Sequence, residues 1–475
     1  MKILSKLLVV IIVLLHTQLF SQQRSIGTLG QEISNAIKPE GAGSERSPYQ
    51  VSNLANLKWL SENGNEWGNS KVLVHYVLTS NIDASESSRW NNGLGFNPIG
   101  NSRNSFFGVF NGNNFTISNL TVSSAETDNY GLFGFVDKST IKNLKLTKVN
   151  IKNTQNLSNK NLPKIGLLVG SAKNSNFTNI HVNGMIKANV SYAGGIIGLA
   201  DSCVLDGCVS EPDIDATVLR GVGGFIGGIY SSEIKKSTSK GKSKAASTNN
   251  GSSSIATEDL HVGGFIGYAK ICKIEDCVSD GMIVEVGGNY DGKLLGVGGF
   301  IGGIYSSEIK TSKGKSNKSN VNRSNKNTAV TTDRLASKNK SNSFIFVGNF
   351  AGYMNDSNID SSEDTGSEIV IDDSAGNILL GVGGFIGGIY SSEIKKSSSN
   401  GSKTNVKSVG NKDNHDAFVY SGQLVGFLKN SKVETSNAKN VSVDLSRISQ
   451  EAILSSGNLI GTVNGIDQRF DEGRR

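Results

Sequence analysis

The stretch GVGGFIGGIYSSEIK stands three times in this chain, at Gly221–Lys235, Gly296–Lys310 and Gly381–Lys395. Glycines at this density have two readings: a loop that wraps a ligand, or a structural step that recurs. A phosphate loop needs lysine after its second glycine, and here Gly223-x-x-x-x-Gly228 is followed by Ile229. A dinucleotide fingerprint needs a third glycine where Ile226 stands. The spacing instead speaks for recurrence. The copies start 75 and 85 residues apart, and a looser form of the same pattern fills the gaps.

That looser form is two small residues, two apolar residues and a closing glycine. Its closing glycines are Gly134, Gly170, Gly198, Gly227, Gly267, Gly302, Gly352, Gly387, Gly426 and Gly461. The residues that follow stay in register. Five positions on stand Ser139, Ser175, Cys203, Ser232, Cys272, Ser307, Ser357, Ser392 and Ser431. Seven positions on stand Ile141, Phe177, Leu205, Ile234, Ile274, Ile309, Ile359, Ile394 and Val433. Positions five and seven share one face of a strand, so one small and one apolar column point into a core. A unit whose shortest spacing is 28 residues cannot bury such a face alone, but stacked units bury a continuous one. The expected fold is all-β: a right-handed parallel β-helix, or β-solenoid, with an N-terminal cap and low-complexity loop insertions. Glycines then mark corners and places where coils approach closely.

The stretches AGGIIGLADSCVLDGCVS at Ala193–Ser210 and VGGFIGYAKICKIEDCVSDG at Val262–Gly281 resemble the GLUG-motif repeats of secreted and surface proteins of bacteria. SPYQVSNLANLKWLSENG and YVLTSNIDAS resemble the leader and first strand of such proteins, and NPIG…FFGVFNGNNFTISNLTV the step into the first coil. The resemblance covers roughly Ser47 to Gly461 and implies architecture more than activity, since such repeats occur in adhesin-like proteins and beside protease domains. Leu54–Leu60 is expected to form a short helix that closes the N-terminal end, where an open solenoid would expose a sheet edge.

Composition agrees with many short strands and tight turns: glycine is 57 of 475 residues, proline 5, and aromatics 7%. Lys2, Lys6 and the apolar run Leu7–Leu15 lay out a secretory signal peptide over residues 1–21, with an uncleaved anchor as the other reading. A leader and cap follow over residues 22–69, the repeats over 70–465 and a tail over 466–475. The chain is thus expected to be secreted or held at the cell surface. No transmembrane span is expected after signal removal.

The outward columns carry charge. Eight positions after the closing glycines stand Asp206, Lys235, Glu275, Lys310, Asp360, Lys395 and Glu434, alternating in sign through seven coils. Opposite charges in adjacent strands attract, although duplication of a two-coil block would leave the same pattern. Polar tracts follow the three perfect copies, near residues 237–254, 311–342 and 397–414, in place of a third strand. They are read as disordered loops that crowd one side. Their cations are Lys240, Lys242, Lys244, Lys313, Lys315, Lys318, Arg323, Lys326, Lys403 and Lys407. Such a set suits acidic polysaccharide or cell-envelope components, or is simply a solvated surface. Nucleic acid is not expected, because no aromatics are interleaved.

Chemistry-bearing motifs are sparse. None of His16, His75, His181, His261 and His415 stands in an HExxH frame. Asp201, Asp206, Asp213 and Asp215 are close enough in sequence to seed an acid/base or calcium site, but their columns also hold lysine. Cys203, Cys208, Cys272 and Cys277 do not have zinc spacing. Equivalent cysteines lie two coils apart, about 9–10 Å, beyond disulfide reach, so four buried free thiols are expected, with Cys203–Cys208 and Cys272–Cys277 bridges as the other outcome. No catalytic residue, cofactor or metal site is expected. The function read from the sequence is a non-enzymatic, adhesin-like surface or matrix protein, with a polysaccharide lyase or glycosidase of the β-helix kind as the alternative.

Overall fold

The computed structural model describes residues 35–123, 128–153, 162–248, 259–289, 294–323, 343–373, 378–409, 418–445, 453–457 and 459–463. The chain divides into two compact units, Met1–Asn35 and Ala36–Arg475. The residues expected to form a signal peptide lie outside the described ones, and every described strand and helix belongs to the second unit.

Strands pair in parallel with the equivalent strand of the next coil. The step from Ile266 to Ile301 is one coil, and the step from Ile301 to Ala351 is the next. One sheet of ten strands runs from Phe133–Asp137 to Ile460–Val463. This is the parallel β-helix that the repeat implied, with two coils in each duplicated block.

A coil is built from short strands separated by tight corners. In the Gly302 coil the strands are Leu294–Gly298, Ile301–Tyr305, Glu308–Lys310, Lys313–Lys315 and Lys318–Arg323. Three of its corners fall on Ser306, Thr311 and Ser316, with φ of 46°, 48° and 50°. The residue after each corner turns inward: Ser307, Ser312 and Asn317 are all buried. Their oxygens tie coil to coil. Ser307 N–H donates to Ser357 Oγ at 3.0 Å, and Ser357 Oγ donates to Asn355 O at 2.7 Å. The small column at position five is therefore more than a packing requirement. A hydroxyl there both accepts from one coil and donates within its own, which leaves no buried N–H orphaned at the corner.

The interior is apolar and stacked. Ile234, Ile274, Ile309, Ile359 and Ile394 are buried in one column. Phe225, Phe265, Phe300, Phe350 and Phe385 stack in sequence with ring centroids 4.5, 5.0, 4.7 and 4.7 Å apart. The closing glycines lie where neighbouring backbones press together: a Cβ on Gly302 would stand 2.4 Å from Val262 N. The expected cap is present as a helix over Leu54–Glu62, longer than Leu54–Leu60. Its first turn is capped by Asn53, which accepts from Asn56 N–H. Leu57 and Leu60 join the core, and Trp59 packs edge-on against Tyr49 of the first strand.

The polar tracts require a correction. They do not take the place of a strand; their described residues form the last strand of the coil, the one expected as its third strand and so named below. Lys242–Thr248, Lys318–Arg323 and Lys403–Val409 pair in parallel with neighbouring coils. Alternation explains why residues so polar can do this. Ser243 and Ala245, Ser319 and Val321, and Thr404 and Val406 face inward and are buried, while Lys244, Asn320 and Asn405 between them face out. The remainders of the tracts, 249–254, 324–342 and 410–414, lie outside the described residues.

Candidate functional site

The outward columns come first, because any site on a packed solenoid must be built from them. The charge ladder is in register. Asp206 stands opposite Lys235, Lys235 opposite Glu275, Glu275 opposite Lys310, Lys310 opposite Asp360, Asp360 opposite Lys395, and Lys395 opposite Glu434. Within coils, Lys235, Lys310 and Lys395 also pair with Glu233, Glu308 and Glu393 at 2.8, 2.7 and 2.9 Å. These bonds hold the three ammonium groups above the usual lysine range. Hydrogen bonding from Lys432 holds the Glu434 carboxyl below its usual range.

The lysines expected to make a basic side share their face with acids. Lys240 lies 3.5 Å from Asp280, Lys242 3.1 Å from Glu285, and Lys244 3.3 Å from Asp215. Lys313 lies 2.7 Å from Glu363 and Lys318 3.9 Å from Glu368. In register, Lys315 stands opposite Asp280, Lys403 opposite Glu368 and Arg323 opposite Asp373. Lys326 lies outside the described residues. The face is a checkerboard of both signs, because the outward strands of the intervening coils carry the acids. Lys407 occupies the extra position where the register shifts between Ile371 and Asp372, as a bulge does. With Lys244, Glu285, Asn320, Val370 and Asp372 it lines a shallow groove of about 620 Å3.

The four aspartates do not converge as a catalytic group would. Asp206 belongs to the ladder, Asp215 pairs with Lys244, Asp213 stands opposite Lys242, and Asp201 accepts from Ser202 Oγ at 3.0 Å. Among the described residues no group of three or more His, Cys, Asp or Glu side chains is placed to hold a metal. The four cysteines are buried free thiols. Burial pushes Cys203, Cys208 and Cys277 up to about 12 and Cys272 to about 11.

Sequence reasoning missed an aromatic face. In each intervening coil, a bulky ring stands six residues before the closing glycine: Tyr192, His261, Phe346 and Tyr420. The perfect copies carry Gly221, Gly296 and Gly381 there, and Gly228, Gly303 and Gly388 one residue after the closing glycine. Tyr192, His261 and Phe346 each lie over the glycine pair of the next coil. A Cβ on Gly296 or Gly303 would stand 2.8 or 2.4 Å from His261 Nδ1. This accounts for the glycines at the first and eighth places of GVGGFIGGIYSSEIK: they are slots for a neighbour's ring. Beside the slots, Tyr230, Tyr268, Tyr305 and Tyr353 follow one another with centroids 5.4, 5.1 and 5.7 Å apart. Leu294, Phe346, Tyr353 and Phe427 form a buried cluster separate from the main core, with Tyr305, Phe344, Tyr390 and Tyr420 packed against it. The signal was present as glycine alternating with aromatic at two fixed positions. Its meaning requires knowing that two strands seven residues apart fold onto one outer corner.

No family model matches the chain. The chain is 31% identical to halomucin of Haloquadratum walsbyi over 187 residues, which is 38% of this chain and 2% of that protein. Two solved structures are similar to this chain at low identity. One is a Bacteroides ovatus protein described as a candidate immunoglobulin A1 protease (TM-score 0.35, 13% identity, 83% of this chain and 86% of that one). The other is the surface protein and adhesin PfbA of Streptococcus pneumoniae (TM-score 0.29, 9% identity, 88% of this chain and 97% of that one). No helix among the described residues is long and apolar enough to cross a membrane.

Proposed function

We propose that the chain is an exported, non-enzymatic β-solenoid of the GLUG-repeat kind, acting as an adhesin-like surface or matrix protein. One observation carries this reading: the outward carboxylates are distributed along the stack and engaged coil by coil with lysines, from Asp206 opposite Lys235 to Lys395 opposite Glu434. A glycosidase or lyase needs two or three carboxyl groups gathered about one bond. Here the same residue types stabilise the stacking of coils. Similarity to halomucin over part of the chain supports a role outside the cell. The test has two arms. Antibody labelling of intact producing cells should find the chain at the surface or in the matrix. Incubation of the purified chain with polygalacturonate, alginate and xylan should leave polymer length unchanged. Depolymerisation abolished by Asp206→Asn or Asp215→Asn would refute the reading.

A further inference from the structure

We propose that the row Tyr230, Lys270, Tyr305, Asn355, Tyr390 and Lys429 is a binding track for a linear acidic polysaccharide lying along the solenoid axis. The proposal rests on the non-enzymatic reading above and deepens it by naming the ligand class and the face. The six residues stand opposite one another in successive coils. The coil spacing of about 4.8 Å therefore places a tyrosine every ~10 Å, with an amine or amide between.

Three features argue for this occupant. First, the row is outward-facing yet backed by apolar surface: the cluster of Leu294, Phe346, Tyr353 and Phe427 is separate from the core, and Tyr305 and Tyr390 pack on it. Aromatic side chains with a polar tip suit ligands that are apolar on one side and hydroxylated on the other. Second, the chemistry alternates strictly. Phenols recur at every second coil, and Lys270, Asn355 and Lys429 stand between them. A globular partner has no reason to meet the same group at each second step, whereas a polymer with a repeating unit does. Third, Lys270 differs from the cations of the charge ladder. Lys270 is exposed and its register neighbours are Tyr230 and Tyr305, not carboxylates. Lys429 lies 5.8 Å above the Tyr390 ring. An ammonium group flanked by phenols, as Lys270 is between Tyr230 and Tyr305, complements the carboxylates of a polyuronate. Sugar hydroxyls find partners in the phenols and the Asn355 amide.

The test is affinity electrophoresis of the full chain through gels containing alginate, dextran or poly-L-glutamate. Retention by alginate alone is expected. Tyr305→Ala should weaken it about fivefold, in line with the loss of one aromatic contact. Lys270→Gln with Lys429→Gln should weaken it further and flatten its salt dependence. Lys242→Gln with Lys318→Gln, on the third-strand face, should change nothing. If Tyr305→Ala lowers the melting temperature, Tyr390→Ala, the equivalent ring two coils further on, takes its place with the same expected loss. Absence of retention overturns the proposal, as does equal retention by poly-L-glutamate, which would make the interaction charge alone. A larger loss in the third-strand variant also overturns it by moving the ligand to that face. Recovered alginate of unchanged length is expected. Shortened alginate with the row variants still defective would leave the track standing and refute the non-enzymatic reading instead.

Discussion

Phe346 Cδ1 lies 2.3 Å from the point where a Cβ would stand on Gly388. The ring occupies the place of the missing side chain, so Gly388→Ala should force the ring or the backbone aside. Overpacking of this kind costs about 1–3 kcal/mol. Gly287→Ala is the comparison: its Cβ would meet only Asn322 O at 3.6 Å. A melting temperature lowered by Gly388→Ala and unchanged or raised by Gly287→Ala is the expected pair of results. Equal effects would show that the slot does not constrain the stack.

Ile309 is fully buried in the apolar column, between Ile274 and Ile359. Ile309→Asp buries a charge with no partner, which costs several kcal/mol. Because each coil contacts mainly its neighbours, the loss should be local. Hydrogen exchange should quicken around Ile274, Asp280 and Ile359 while the Ile141 region keeps its protection. Unchanged exchange throughout would refute the column assignment.

The serine ladder makes a separate prediction. Ser357 accepts from Ser307 N–H and donates to Asn355 O. Ser357→Ala leaves a buried N–H without its acceptor, at a cost of about 1–3 kcal/mol. Cys272 occupies the equivalent place with a weaker sulfur group, donating to Lys270 O at 3.2 Å. Cys272→Ser should therefore match or exceed the native stability in a chemical melt. The native thiols should resist alkylation at pH 7–8, since burial pushes Cys272 up to about 11 and only the thiolate reacts.

How far these features could be read from the sequence depends on whether they are local or cross-coil. The inward columns were legible because Ser307 and Ile309 repeat at fixed distances from a glycine. The ladder from Asp206 to Glu434 was legible for the same reason. The third strands were not: KSKA at Lys242–Ala245 reads as low complexity, and only its burial pattern shows that Ser243 and Ala245 serve as core. The aromatic slots were not legible either. His261 and Gly296 lie 35 residues apart, and only coil stacking brings them together.

Lys310 sits between Glu275 and Asp360 in adjacent coils. Lys310→Glu would align like charges across three coils and remove the pairing with Glu308. The variant should melt below the native protein in low salt, and the gap should narrow as salt screens the repulsion. A gap independent of salt would mean that the ladder is a trace of duplication with no energetic part in stacking.

Asp364 gives the fold a pH dependence that runs opposite to ordinary acid denaturation. Its side chain is fully buried, and it accepts from Ser367 Oγ at 2.6 Å and Ser402 Oγ at 2.5 Å. Gly314, on the coil before, leaves the space into which the carboxyl leans. The nearby ionisable groups are Glu363 on its own strand and Lys313 and Lys315 on the strand opposite, all on the outer side. Burial outweighs the two hydroxyls and pushes the carboxyl up to about 7. The folded chain thus keeps a proton that the unfolded chain releases near pH 4. Where the native state binds more protons, stability falls as pH rises. The contribution should be full below about pH 4, decline between about pH 4 and 7, and be lost above. The carboxylates of the ladder act in the other direction: Glu434, held low by Lys432, adds stability that is lost on acidification. Comparing the native chain with Asp364→Asn separates the two. The amide cannot ionise, so the variant should gain on the native chain as pH rises from 4 to 8, by up to a few kcal/mol. Denaturant melts at pH 4.5, 6, 7 and 8 measure the difference directly. A constant gap across that range would mean that Asp364 is already ionised within the core, balanced by Ser367 and Ser402 alone.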